Sequence, residues 1–473
     1  MEKLEKRHHP LYESLCAVVG SRYVADEDFA VYAYSRDSSV FPARVPGIIV
    51  RPGSTEEVSD IVKIANRANF PVIPIGGKAG IFGITKGEPK RSIVIDLTRM
   101  NKLVDINEEN MTITVECGLT YSRLHTSLKE RKVYTPFVWI PGYPGTIGGV
   151  ISHGGILRWG EHYSGIGNSR NVLSLEVVLP TGEVIQTGSA ANKYAKVFCR
   201  YTHGPDLTSL FIGDHGIFGV KTKATLKLLH WPIAEWKTCA FDSEEKALKA
   251  HIELSKLPHD GVPTNAALIP PWNAAMVLLG EEKWNMFYEI LAPDEEEFHI
   301  RAKRAENITK KFDARPASES FREFVKSPGF EWPINSIIAT YGMHLFSDII
   351  FPRDMAVENY RIINDTFFRK YEEDLKKYQI QRWDVFSFGD DCIIYCPYMF
   401  FDDSDEQARK RALEIFKELL SLLIELGGIT YFLDQDWGNI AAEAFPPDYK
   451  YFLRTLKRAI DPYNILQPTM FAL

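Results

Sequence analysis

The sequence predicts an α+β protein of two domains, and three observations carry that prediction. Helical and strand-like periodicities are mixed along the chain without a βαβ period. The 473 residues exceed one ordinary hydrophobic core, and a hydrophobic content of 45% is enough to fill two. The character of the sequence changes near His230-Trp-Pro232, after which charged helices and aromatic residues become richer. The expected division is residues 1–232, residues 233–460 and a short tail, 461–473, returning to the first domain.

In the first part, Ser54 followed by Glu57 is a capping-box pattern. Val58, Ile61, Val62, Ala65 and Ala68 then recur at helical spacing until Phe70-Pro71 ends the run. Ser92–Leu97 and Met111–Glu116 read as strands, and Leu124 with Leu128 marks a short helix. Leu175–Gly188 reads as two strands around a Pro-Thr-Gly turn, and the alternation of Gly216–Leu228 reads as a hairpin or edge-like strand. In the second part, strands are expected around Ala266–Ile269, Ile337–Tyr341 and Phe386–Tyr395. A long amphipathic helix opens at Ser404 and stops at Gly427-Gly428, and a last helix lies near Tyr451–Ile460.

Two loops carry the chemistry. They are Pro71-Val-Ile-Pro-Ile-Gly-Gly-Lys-Ala-Gly-Ile-Phe-Gly83 and Pro141-Gly-Tyr-Pro-Gly-Thr-Ile-Gly-Gly-Val150, each preceded by a short apolar stretch. Glycines let successive N–H groups turn toward one anion, and Gly76, Gly77 and Gly80 supply that freedom beside the cationic Lys78. That suits a diphosphate. The spacing is neither GxGxxG nor GxxxxGK[ST], which argues against nicotinamide dinucleotides and ATP.

Composition narrows the rest. A net charge of −7 without a sustained basic run argues against nucleic acid as a partner. No stretch approaches membrane-spanning length and the charged start does not read as a secretory signal, so a cytoplasmic protein is expected. The 6 cysteines are scattered without a CxxC, which excludes a disulfide framework, an iron–sulfur cluster or a structural zinc site as expectations. Cys392 and Cys396 share one face of a strand-like run and read as buried thiols.

The first half resembles the FAD-binding domain of the p-cresol methylhydroxylase and vanillyl-alcohol oxidase superfamily, which also holds GlcD-type glycolate oxidase chains and D-lactate dehydrogenases. The resemblance lies in Ile49–Val58, Pro71–Gly83, Val115–Leu124, Pro141–Gly149, Leu173–Gly182 and Leu210–Val220, in the superfamily's order, and in the closing Ile460–Pro468. It implies an FAD-binding domain of two α/β subdomains and an α+β cap domain with an antiparallel sheet over the isoalloxazine. The residues it assigns to the cofactor begin with Ile75, Gly76, Gly77, Lys78, Ala79 and Gly80 on the diphosphate. Pro141, Pro144, Gly145, Thr146, Gly148, Gly149 and His153 follow on the second side, and Gly213, Gly219, Val220 and Asn464 complete the set. Relatives that attach flavin through the first loop carry a histidine after the paired glycines. Lys78 stands there and lacks an imidazole nucleophile, so dissociable FAD is expected, with a link from the cap as the alternative.

Two branches of the superfamily are matched incompletely. Val385–Tyr395 and Thr430–Gly438 correspond to the metal-binding motifs of the 2-hydroxy acid dehydrogenases but lack their histidines. Asp390, Asp391, Asp434 and Asp436 read as turn residues, and no metal is expected. Tyr431 matches a phenolate-binding tyrosine of the alkylphenol branch, whose arginine is Phe432 here. The catalytic candidates are Tyr431, Arg382, His344 and Asp384, with Tyr341 and Asp434 as further polar groups of the cap.

The expectation is an FAD-linked dehydrogenase, rather than an oxidase, that takes a hydride from a small alcohol, hydroxy acid or benzylic donor. The partners expected are that substrate and a separate electron acceptor, such as another redox subunit, in a chain that does not span a membrane and forms a homo-oligomer as one option. The alternatives are an electron-transfer or assembly subunit, and a redox-neutral enzyme of the alkylglycerone phosphate synthase type. The latter needs a phosphate cluster in the cap, for which Arg301, Lys303 and Arg304 are the basic residues, otherwise the solvated face of a helix.

Overall fold

The computed structural model describes residues 9–36, 39–80, 91–136, 144–155, 170–257, 265–271, 274–326, 343–388, 392–431 and 435–472. Three sheets organise them. The first consists of Val24–Ala25 (β1), Ile48–Val50 (β2), Val72–Ile75 (β3) and Ile93–Asp96 (β4), in the order β1-β2-β4-β3. Strands β2 and β3 run parallel to β4, and the helix Thr55–Ala68 links β2 to β3. This local parallel unit departs from the expected absence of a βαβ pattern. Its strands are three or four residues long and mostly buried, so they show no alternation by which to recognise them.

The helix starts where the capping signal places it. The Ser54 hydroxyl accepts from the Glu57 N–H at 3.2 Å, while the Glu57 carboxylate takes the N–H of Gly53, one residue beyond the usual reciprocal partner, at 2.7 Å. The tail extends the same sheet: Val72 N–H donates to Ile465 O at 2.7 Å, and Gln467 N–H donates to Val72 O at 3.2 Å. A buried ion pair holds it there. Lys457 Nζ lies 2.6 Å from Asp461, whose carboxylate also accepts from the N–H groups of Ile465 and Leu466.

The second sheet is antiparallel. It contains Leu103–Asn107 (β5) and Thr112–Glu116 (β6), followed after the short Val133–Tyr134 (β7) by Val172–Val178 (β8), Val184–Gln186 (β9) and Val220–Lys227 (β10). The order is β5-β6-β10-β8-β9, so β10 is central rather than edge-like. Its polar residues misled the pattern. Lys221 is buried against Asp214 at 2.5 Å, and Thr222 and Lys223 both bond Glu176, so the alternation reflects satisfied internal charges rather than a solvated face. Leu229–His230 (β11) pairs with β7.

The third sheet joins Ile233–Phe241 (β12), Asn265–Ile269 (β13), Trp284–Ala292 (β14), Met343–Phe346 (β15), Ile349–Pro352 (β16), Gln381–Phe388 (β17), Cys392–Phe401 (β18) and Ile429–Thr430 (β19). All its pairings are antiparallel. The strand expected at Phe386–Tyr395 is two strands, β17 and β18, and the strand expected at Ile337–Tyr341 lies outside the described residues. Period-2 alternation divides the two faces. Phe386, Tyr395, Met399 and Phe401 pack beneath the helices Glu244–Ser255, Glu295–Lys311 and Glu406–Glu425, while Trp383, Val385, Cys396, Tyr398 and Phe400 lie on the other face with Phe321 and Val325. The helix expected from Ser404 begins at Glu406 because Asp405 is the cap, accepting from Gln407 and Ala408 N–H. Arg301 is buried, bonded to Glu297 at 2.9 Å and to Leu291 O at 2.7 Å, so it does not lie on the expected solvated face.

Candidate functional site

The two glycine loops meet. A Cβ built on Gly76 would fall on the Thr146 hydroxyl, and one on Gly77 would fall on the Pro144 carbonyl oxygen, so glycine is what allows this approach. The loops border an open cleft of about 990 Å³. Among the described residues, the main-chain N–H groups of Gly77, Lys78, Ala79 and Gly80 have no hydrogen-bond partner. Four successive donors left open along a cleft wall suit an anion, because neighbouring main-chain N–H groups can converge on one charge.

The cleft is lined by Ile75, Gly76, Gly77, Lys78, Ala79 and Gly80 from the first loop and by Gly145, Thr146, Gly148, Gly149 and His153 from the second. Gly219 and Val220 line it as well. Pro144 touches the first loop without lining the cleft, and Pro141 lies outside the described residues. Gly213 and Asn464 do not line it. Gly213 donates its N–H to Ile151 O at 2.9 Å, and Asn464 holds the tail through Pro468 O at 3.3 Å.

Sequence reasoning missed several of the lining residues, above all Cys117, His215, Lys221 and Gln467. His215 stands inside the quoted Leu210–Val220 motif, where its place between two glycines was an available signal. The cleft also neutralises its own cations. Lys221 is tied to Asp214, and Lys78, with φ of 51°, sends its ammonium to Ala33 O at 3.0 Å and over the Tyr34 ring at 4.0 Å. Lys78 therefore contributes its main chain, and its charge is engaged away from the amide run.

The cap candidates separate by strand parity. Arg382 and Asp384 lie on the helix-covered face and pair with each other. Asp384 also accepts from Tyr395 Oη at 2.8 Å and from Tyr360 Oη at 3.1 Å, while Arg382 bonds Asn364 at 2.8 Å and stacks on Phe368 at 3.6 Å. Such a cluster braces the cap core. His344 lies on the other face, flanked by Phe346 and Phe400 with ring centroids at 5.5 Å from each.

Three nearly sealed polar groups on that side have atoms without partners: both ring nitrogens of His344, Trp383 Nε1 and Asp348 Oδ1. Burial pushes the His344 pKa down to about 4, leaving a neutral ring at pH 7. Burial pushes the Asp348 carboxyl up to about 7, against a hydrogen bond from Cys396 that favours its charged form. The Tyr431 N–H donates to Asp348 O at 2.7 Å, which places Tyr431 beside this patch. Tyr341, Asp390, Asp391 and Asp434 lie outside the described residues.

A cleft floored by unpaired amides between two touching glycine loops, attached to a large antiparallel sheet, defines a protein that binds a diphosphate-bearing cofactor. A family model described as an FAD binding domain matches residues 46–188. That match, with the likenesses that follow, supports the FAD-binding superfamily of p-cresol methylhydroxylase and vanillyl-alcohol oxidase, and FAD is the cofactor. The chain is 27% identical over 481 residues to glycolate oxidase subunit GlcD of Bacillus subtilis, covering 97% of this chain and 96% of that protein. It is 31% identical over 243 residues to a Danio rerio protein bearing a mitochondrial D-lactate dehydrogenase name, over 51% of this chain. The chain spans 47% of that relative's length. A structure of p-cresol methylhydroxylase with substrate bound shares the fold, with a TM-score of 0.81 at 19% identity over 98% of this chain and 96% of that one.

The residues present fit the cofactor. The amide run offers donors to a diphosphate, and glycines keep side chains out of the space beside it. Among the described residues no helix is long and apolar enough to cross a membrane, and all six cysteines are free.

Proposed function

We propose that the chain is an FAD-dependent dehydrogenase that oxidises a small 2-hydroxy acid and passes the electrons to a separate acceptor. The observation that carries this reading is the run of four unpaired amides from Gly77 to Gly80, residues that line the cleft, and the near full-length likeness to a glycolate oxidase chain supports it. When bound, FAD supplies a two-electron acceptor.

The chain's own residues have separate tasks in this reading. Gly77–Gly80 hold the diphosphate through main-chain dipoles, with Gly145, Thr146, Gly148 and Gly149 closing the other side. The His344 ring, neutral at pH 7, is the candidate to take up the hydroxyl proton that the donor loses as its carbonyl forms. Trp383 Nε1–H orients a carboxylate oxygen, and Tyr431 stands at the edge of the same patch. Arg382 and Asp384 take no part, because each is already bonded within the cap core.

The FAD is dissociable at the first loop, since Lys78 offers no imidazole and its ammonium is held by Ala33 and Tyr34. Acid precipitation should release the yellow chromophore into the supernatant. The likeness to a chain named as a glycolate oxidase subunit supports a separate acceptor. The compartment in this reading is the cytoplasm, where free thiols persist.

Anaerobic mixing of the purified protein with glycolate, D-lactate, D-2-hydroxyglutarate or p-cresol tests the reading. One of the hydroxy acids should bleach the visible flavin absorbance without a second protein, and His344→Phe should slow that bleaching. Bleaching by p-cresol alone, or by no donor until a partner protein is added, overturns it.

A further inference from the structure

The cleft wall carries a histidine in a backbone conformation that suits glycine. His215 has φ of 51°, between Gly213 at 67° and Gly216 at 80°. Its surroundings impose that conformation. The His215 N–H donates to Ser152 O at 2.8 Å and the Gly213 N–H to Ile151 O at 2.9 Å, which fastens the loop to the helix Ile147–His153. Asp214 fixes the other side, 2.5 Å from Lys221 Nζ and accepting from the Gly216 N–H at 3.0 Å. The imidazole is thereby set on the cleft wall, edge-on to His153 at 5.1 Å and to Phe471 at 5.5 Å.

Residues held in sparsely populated backbone regions cluster at active and ligand sites, which directs attention to this buried ring. His215 is 5% exposed, and of its two ring nitrogens Nδ1 alone is both sealed and without a partner. A sealed N–H is rarer than a sealed lone pair, so the neutral ring keeps its proton on Nε2. Burial, and after it the charge of Lys221, hold the ring neutral by taking its pKa down to about 4. The Nε2–H is then the donor that His215 has to offer the cleft.

We propose that His215 is a cofactor-binding residue that donates a hydrogen bond from Nε2 to an acceptor atom of FAD. The inference rests on FAD occupying this cleft. Two variants separate the ring's donor from the loop's shape. His215→Asn keeps an N–H donor on a residue that tolerates left-handed φ, and His215→Gly relieves the backbone while removing the donor.

FAD titration followed by flavin fluorescence should show the glycine variant binding about tenfold more weakly and the asparagine variant within about threefold of the parent. ADP competition locates the acceptor. A parallel loss of ADP affinity places it on the diphosphate half, whereas unchanged ADP affinity with a shifted flavin midpoint potential places it on the flavin half. Selective 15N-histidine spectra of the parent protein should show His215 as the Nε2–H tautomer, with that proton shifted by FAD. A glycine variant with parental FAD affinity and potential, or a His215 Nδ1–H tautomer, overturns the proposal. Failure of the parent protein to take up FAD sinks the cofactor reading instead.

Discussion

Substituting alanine at Gly76 or Gly77 tests the meeting of the two loops, and the two positions give different answers. Neither glycine has a positive φ, so an added methyl acts by contact rather than by backbone strain. At Gly76 it strikes the Thr146 hydroxyl, a side-chain atom, and once that oxygen is removed the nearest neighbour is Thr146 Cβ at 3.0 Å. At Gly77 it strikes the Pro144 carbonyl, which belongs to the main chain of the opposite loop. Overpacking of this kind costs about 1–3 kcal/mol, and if the loops part in response the whole amount appears in FAD affinity, roughly a 5- to 150-fold rise in Kd. Thr146→Ala should restore most of the affinity lost in Gly76→Ala, because it deletes the obstructing atom. It should restore nothing in Gly77→Ala. Fluorescence titration of the apoproteins with FAD measures all six Kd values, the parent, Thr146→Ala and both double variants included. Parental affinity in Gly76→Ala, or equal rescue at both positions, would refute the contact between the loops.

Three further outcomes follow. Asp461→Ala leaves the Lys457 ammonium buried without its counter-charge and frees the N–H groups of Ile465 and Leu466, so urea unfolding should show a loss of about 3–5 kcal/mol; an unchanged midpoint would show that the tail is not held by this pair. Acid should destabilise the apoprotein: below pH 6.5 an unfolded histidine binds a proton that folded His215 and His344 refuse until about pH 4, so the unfolded state binds more protons across that window and stability falls as pH falls. Each ring contributes about 3 kcal/mol at full titration. Asp348, raised to about 7, has the opposite slope between pH 3.8 and 7 and offsets one ring, but His153 and His251 are also held low by burial, so His344→Phe should lessen the fall in stability between pH 7 and 5, measured by urea unfolding, without reversing it. FAD affinity should change by only about twofold between low and moderate salt, since Lys78 and Lys221 are already engaged and the diphosphate meets amide dipoles; a steep salt dependence would implicate a free cation.

The parts of this protein legible in its sequence are those whose chemistry is local. A glycine loop declares its use through the residues inside it, and the Ser54 cap needs only Glu57 three positions on. The central place of β10 was not legible because its cause is distant: Lys221 and Lys223 look solvent-facing until the fold brings Asp214 and Glu176 against them. The cap candidates show the same limit in a second form. Alternation alone separates Arg382 and Asp384 from Trp383, but which parity meets the helices is decided by Tyr360, Tyr395 and the long helix Glu406–Glu425, elements remote along the chain. His215 combines both difficulties, since its position in a glycine-flanked motif is local while its left-handed backbone is imposed by Ser152 and the Asp214–Lys221 pair.

Those pairs leave the main chain of the cleft, rather than its lysines, to meet a ligand. Lys78, Lys221 and Lys457 lie in or beneath the region that receives the cofactor, and each has its charge met by a carbonyl, a ring or a carboxylate. A free ammonium in the cleft would attract any phosphate in solution, whereas unpaired amides spaced along one loop discriminate by position. Pairing the lysines also ties together the wall behind the cleft, because Lys457 joins Ile217 and Leu466 while Asp214 sets His215. With these lysines already engaged, affinity rests on the placement of main-chain donors more than on charge.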